Sequence, residues 1–135
     1  METKFNFNSA ICTSREQSEL LLALGLKKET ADCYIFEYEE GKYKVIADSW
    51  LDLIADEKYY SQYKDVCFPA WSLHRLIELT RLKVTIFMYG VVIEYPQWRE
   101  NFARSANAWD NLCDAIEWLI KEGYFNKEYL VWIKN

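Results

Sequence analysis

The chain has 135 residues, 51% of them hydrophobic and 27% charged, with a formal net charge of -5. This length and mix fit one ordered domain over residues 1–135 with a sizeable core, and the acidic balance sets the average field against phosphate backbones and anionic lipid, which disfavours nucleic acid as a partner. No apolar run is long enough to cross a bilayer, the longest near Val84 to Ile93 being interrupted by Tyr89 and Gly90, and the first residues show no export pattern, so a cytoplasmic protein is expected.

Phe5 and Phe7 alternate with polar neighbours, the pattern of an edge strand or of a tail tucked on the core. Thr13-Ser14-Arg15-Glu16 reads as a capping box, in which a hydroxyl accepts from a first-turn N-H and Glu16 reaches back to the cap. The helix it opens carries the stripe Gln17, Leu20, Leu21 and Leu24, and Gly25 followed by Leu26 closes it. Cys33 to Tyr38 and Tyr43 to Ala47 are rich in β-formers and flank Glu39-Glu40-Gly41-Lys42, so they form a hairpin. Asp48 to Tyr63 is ambiguous: Trp50, Leu51, Leu53 and Ile54 suit a short helix, whereas Tyr59, Tyr60 and Tyr63 suit a loop.

Phe68-Pro69-Ala70-Trp71 leads into a second helix with Ser72 as cap and Leu73, Leu76, Ile77 and Leu79 on its buried side. Lys83 to Glu94 turns to β-branched and aromatic residues, and Gly90 divides it into a bulged strand or a tight hairpin at the centre of the sheet. Pro96 to Arg104 fits a strand or a backward extension of the last helix, and we take the strand. The clearest element is the helix Asn107 to Glu122, with Trp109, Leu112, Cys113, Ile116, Leu119 and Ile120 on one face, Asp110, Asn111, Asp114, Glu117 and Lys121 on the other, and Gly123 as its stop. A short helix from Asn126, anchored by Tyr129, Leu130 and Trp132 or Ile133, ends the chain. The expected fold is α+β: one antiparallel sheet covered on one side by helices at Thr13 to Leu24, Ser72 to Arg81 and Asn107 to Glu122.

Three passages carry a resemblance: Arg15-Glu16-Gln17-Ser18 with Leu24-Gly25-Leu26 and Thr30-Ala31-Asp32; Phe68-Pro69-Ala70-Trp71-Ser72-Leu73; and Asn111-Leu112-Cys113-Asp114-Ala115 with Trp118-Leu119-Ile120-Lys121-Glu122-Gly123-Tyr124. Their order resembles a group of small uncharacterised proteins encoded in prophages and other mobile elements of gut anaerobic bacteria. These passages are capping, turn and core residues, so the resemblance implies an origin and no activity. It carries no functional residues, and Cys113 stands where a plain aliphatic is expected.

Chemistry has few footholds. Cys12, Cys33, Cys67 and Cys113 are far apart, with no C-x-x-C pair and His74 as the single imidazole, which argues against a metal site and reads as four small buried hydrophobes. His74 lies four residues before Glu78 on a helix, the spacing of a surface pair. A catalytic role would need Cys67 or a carboxylate as nucleophile, with Asp65 to orient it. Asp48, Asp52 and Asp56 recur every four residues and would make a solvated acidic stripe on a helix. Gln17 to Tyr34 can be aligned with a helix-turn-helix, but Glu29 and Asp32 offset Lys27 and Lys28 in the would-be reading segment. No phosphate loop, nucleophile elbow or metalloprotease helix occurs, and no cofactor is implied. The sequence therefore points first to a noncatalytic accessory or protein-interaction domain, second to a small hydrolase or transferase using His74 with Cys67 or a carboxylate, and third to a DNA-binding protein. Aromatic residues make up 17% of the chain, and Tyr59, Tyr60, Tyr63, Trp98, Tyr124 and Trp132 are the expected interface anchors for a protein partner or a homodimer.

Overall fold

The computed structural model describes residues 10–47 and 49–131. Five helices and six strands alternate in chain order: α1 Arg15–Ala23, β1 Cys33–Glu39, β2 Lys42–Ile46, α2 Trp50–Ala55, α3 Glu57–Tyr63, β3 Cys67–Ala70, α4 Leu73–Thr80, β4 Lys83–Phe87, β5 Gly90–Tyr95, β6 Trp98–Phe102 and α5 Ala108–Lys121. The class is α+β with antiparallel pairing throughout, and the strands divide between two three-stranded sheets, ordered β2-β1-β3 and β4-β5-β6. Phe5 to Phe7, expected as an edge strand or a tucked tail, the acidic Asp48 and the anchors Trp132 and Ile133 lie outside the described residues.

The organising helix α5 forms as its apolar spacing dictates. Asn107 caps it by accepting from the Trp109 N-H at 2.8 Å, and Gly123, at φ +79°, follows its end. Leu112, Cys113, Ala115, Ile116 and Leu119 are buried, and Trp109 and Ile120 partly so. Asn111 departs from the sequence reading: it is 2% exposed, not on the solvent face. Its side-chain amide donates to the Ser105 carbonyl at 2.7 Å and its oxygen accepts the Ser105 N-H at 2.9 Å, so a polar side chain is buried because the incoming loop satisfies both of its ends. The helix packs on β5 and β6, where Val91 and Ile93 are fully buried, and beside α1 and α4.

Helix α1 begins one residue later than its expected cap. Ser14, rather than Thr13, accepts from the Gln17 N-H at 3.1 Å, and Gln17, rather than Glu16, returns to the Ser14 N-H at 2.9 Å. Thr13 is withdrawn into the interior, where its hydroxyl meets Ser18 at 2.7 Å and accepts the Trp71 N-H at 3.1 Å. The buried face is consequently Ser18 and Leu21, and Leu20 is exposed. Gly25, at φ +105°, turns the chain into Leu26, which is buried and bridges to Leu130.

Phe68-Pro69-Ala70 leads into a helix as expected, but with Cys67 it is itself the strand β3, pairing Cys67 to Ala70 against Phe36 to Cys33. A proline fits there because β3 has a partner strand on one side only. Ser72 does cap α4, accepting from the Arg75 N-H at 3.1 Å while donating to Asp32 at 2.5 Å. The ambiguous stretch after Asp48 resolves into two helices, since Asp56 leaves helical geometry and caps α3 through the Tyr59 N-H at 3.0 Å. Beneath them Trp50 is fully buried, donates to the Lys28 carbonyl at 2.7 Å and meets the Tyr60 ring in a T-shaped contact. Lys83 to Glu94 is a hairpin, Pro96 to Arg104 contains a strand as expected, and the last helix shortens to a 3-10 turn, Lys127–Tyr129, capped by Asn126.

Candidate functional site

Among the described residues no hydrogen bond, ion pair or shared cavity joins His74 to Cys67. His74 is exposed on α4, and among the described residues its helical neighbour Glu78 pairs with Arg75 at 3.2 Å, not with the imidazole. Cys67 is buried in β3, and burial pushes its thiol pKa up. Cys12 and Cys113 are pushed up to about 12, chiefly by burial and then by negative neighbours, Cys33 and Asp32 for the first and Asp110 and Asp114 for the second. Such groups stay protonated near neutral pH, the opposite of an activated thiolate. The acidic row is also broken: the helix ends at Asp56, which puts Asp52 and Asp56 on separate elements. Among the described residues no three His, Cys, Asp or Glu side chains gather as a metal site. The segment after Gly25 forms only a 3-10 turn, Lys28–Thr30, before β1, so no second helix is present to enter a DNA groove.

The expected aromatic anchors fall into two groups. Tyr59 and Tyr63 stack at 4.6 Å on α3, with Tyr59 half exposed, while Tyr60 turns inward to Trp50 and lies under the Lys28 ammonium. Trp98 and Tyr124 join Tyr95 and Trp118 in a four-ring cluster with centroids 4.5 to 5.8 Å apart, at the end of the second sheet where β5 turns into β6. Tyr95, Trp98 and Trp118 are partly buried in this cluster, whereas Tyr124 stays 48% exposed at its edge.

The most exposed large apolar side chains lie elsewhere. At the turn between β4 and β5, Ile86, Phe87, Met88 and Tyr89 are consecutive and 38%, 56%, 81% and 80% exposed. Phe87 pairs with Gly90, so the loop is two residues long, Met88 and Tyr89. Two-residue hairpin loops favour Asn, Asp or Gly at positive φ, and neither Met88 nor Tyr89 has a positive φ. The base of the tip is fixed tightly: a methyl group on Gly90 would stand 2.9 Å from the Phe102 carbonyl oxygen and 3.1 Å from the Ala103 Cβ. The sequence signal for this tip is an uninterrupted apolar run, Ile86 to Tyr89, immediately before Gly90.

A concave counterpart lies on the first sheet. Ile11, Ile35, Tyr43, Val45 and Trp109 line an open cavity of about 740 Å³. Opposite residues of paired strands share a face, which sets Ile35, Val45 and Phe68 side by side. Arg15 closes one side of the groove, its guanidinium 4.1 Å above the Phe68 ring, donating to the Tyr43 hydroxyl at 3.2 Å and paired with Glu19 at 3.2 Å and Glu37 at 3.6 Å. Its charge is matched locally, so the groove presents apolar walls rather than an anion site.

No helix among the described residues is long and apolar enough to cross a membrane. Comparison with protein-family models, with curated proteins and with solved structures gave no match.

Proposed function

We propose that this chain is a noncatalytic protein-interaction domain, an accessory protein of a mobile genetic element working in the cytoplasm, and that the hairpin tip Ile86 to Tyr89 is its contact element. The observation that carries the reading is the run of four exposed apolar side chains at a two-residue turn, where local turn chemistry asks for polar residues. A convex apolar tip suits a partner with an apolar pocket. Tyrosine offers large area with few rotors, and methionine adapts its shape to irregular walls. The rigid base at Gly90 limits the ordering cost of binding. The mobile-element origin rests on the sequence resemblance alone.

A photo-reactive side chain in place of Tyr89, activated in cells producing the full chain, tests this reading. One discrete cross-linked polypeptide, lost on adding Met88→Asp, is the expected result. A chain that gives no adduct from position 89, while remaining folded by its thermal transition, is inconsistent with the tip being a contact element.

A further inference from the structure

We propose that the occupant of the groove over the first sheet is the hairpin tip of a second copy of this chain, and that the contact is reciprocal, so that two copies close a symmetric dimer. This rests on the reading of the tip as a contact element and names its partner.

The two features lie close together. Gly90, at the base of the tip, abuts Ala103, and the chain runs from Ala103 to Asn107, which caps α5 and lines the groove. Four residue steps reach at most about 14 Å even when fully extended. Tip and groove therefore flank the same end of α5, one convex and one concave. A two-fold axis near that end would bring each tip to the other copy's groove at once, the condition for a closed interface rather than an open chain of copies. Area decides between one contact and two. Aromatic side chains bury roughly 150–250 Å² each when fully withdrawn, so Phe87, Met88 and Tyr89, exposed to 56%, 81% and 80%, offer about 300–550 Å² and with an equal extent of groove wall withdraw on the order of 600–1,100 Å² from water. That is the size of a weak contact, whereas the reciprocal pair reaches about 1,200–2,200 Å², the range of stable complexes. Charge does not oppose the fit, since the tip Ile86 to Tyr89 is uncharged and Arg15 at the groove is already matched by Glu19 and Glu37.

Light scattering of the full chain across a concentration series tests the proposal with two variants. Met88→Asp with Tyr89→Asp alters the tip, and Val45→Asp alters the groove; all three side chains are exposed, so the thermal transition should be preserved. The wild type is expected to be a dimer, and each variant is expected to raise the dissociation constant by about 30-fold or more. An equimolar mixture of the two variants should recover a weaker heterodimer, because the intact groove of one chain can still take the intact tip of the other. A wild type that stays monomeric overturns the proposal; if position 89 then cross-links to a different polypeptide, the interaction reading survives and only its partner changes. A Val45→Asp chain that remains fully dimeric also overturns it, since the dimer then does not depend on the groove.

Discussion

The hairpins β1–β2 and β4–β5 solve the same problem in opposite ways. Both have two-residue loops, closed by Glu39 against Lys42 and by Phe87 against Gly90. The first follows turn chemistry: Gly41 takes φ +77°, its N-H donates to Glu37 at 3.2 Å, and Glu39 pairs with Lys42 at 3.0 Å. The second has Met88 and Tyr89 in the loop and keeps its glycine one position later, in the strand. The glycines accordingly serve different needs. Gly41 has nothing within 4 Å of an added Cβ and is required by its backbone angle, whereas Gly90 is required by the strand packed against it. A turn built for its own stability and a turn built around exposed apolar side chains thus stand on one chain, and the second is where a partner is to be sought.

Substitutions can break this contrast. The largest effect is expected at Gly90→Ala, because the new methyl meets a backbone oxygen that cannot move without shifting β6; urea unfolding should show a loss of about 2 kcal/mol. Gly41→Ala should lose about 1 kcal/mol, entirely from the left-handed backbone, and Gly41→Asn should recover part of that loss while Gly90→Asn should not. Equal recovery at both positions would mean that one cause acts at both glycines. Replacing Met88 and Tyr89 together by Asn and Gly should leave stability unchanged or raise it by about 0.5 kcal/mol, while abolishing association in light scattering. A swapped chain that associates as before would deprive the tip of its assigned role. The smallest effect is expected from Lys42→Ala, below ~0.5 kcal/mol, since its pair with Glu39 is well exposed.

Legibility followed the reach of the forces involved. The apolar stripe and cap of α5, the Ser72 cap of α4 and the β1–β2 hairpin could be read because each depends on residues within a few positions of one another, while Lys83 to Glu94 was legible as strand with bulge or hairpin left open. Thr13 misled because its hydroxyl bonds to Trp71, 58 residues away, instead of capping the adjacent helix. Asn111 misled because polar spacing reads as solvent exposure unless a loop is known to bind both ends of the amide. Phe68 to Ala70 became a strand through pairing with β1, which no local pattern announces. The expected anchors mix exposed rings with packed ones, Tyr59 and Tyr124 being about half exposed and Tyr60 and Trp98 partly buried, because Trp98 meets Trp118 only after the sheet and α5 come together.

By itself the sequence determined the α+β class, the positions of the main helices and hairpins, and the scarcity of recognisable catalytic or phosphate-binding motifs, because periodicity, caps and glycine placement are short-range properties. Only the tertiary structure decided which apolar residues have no place in the core. Exposure is set by what long-range packing leaves over, and the longest consecutive run of exposed apolar side chains is Ile86 to Tyr89 at the tip of one hairpin.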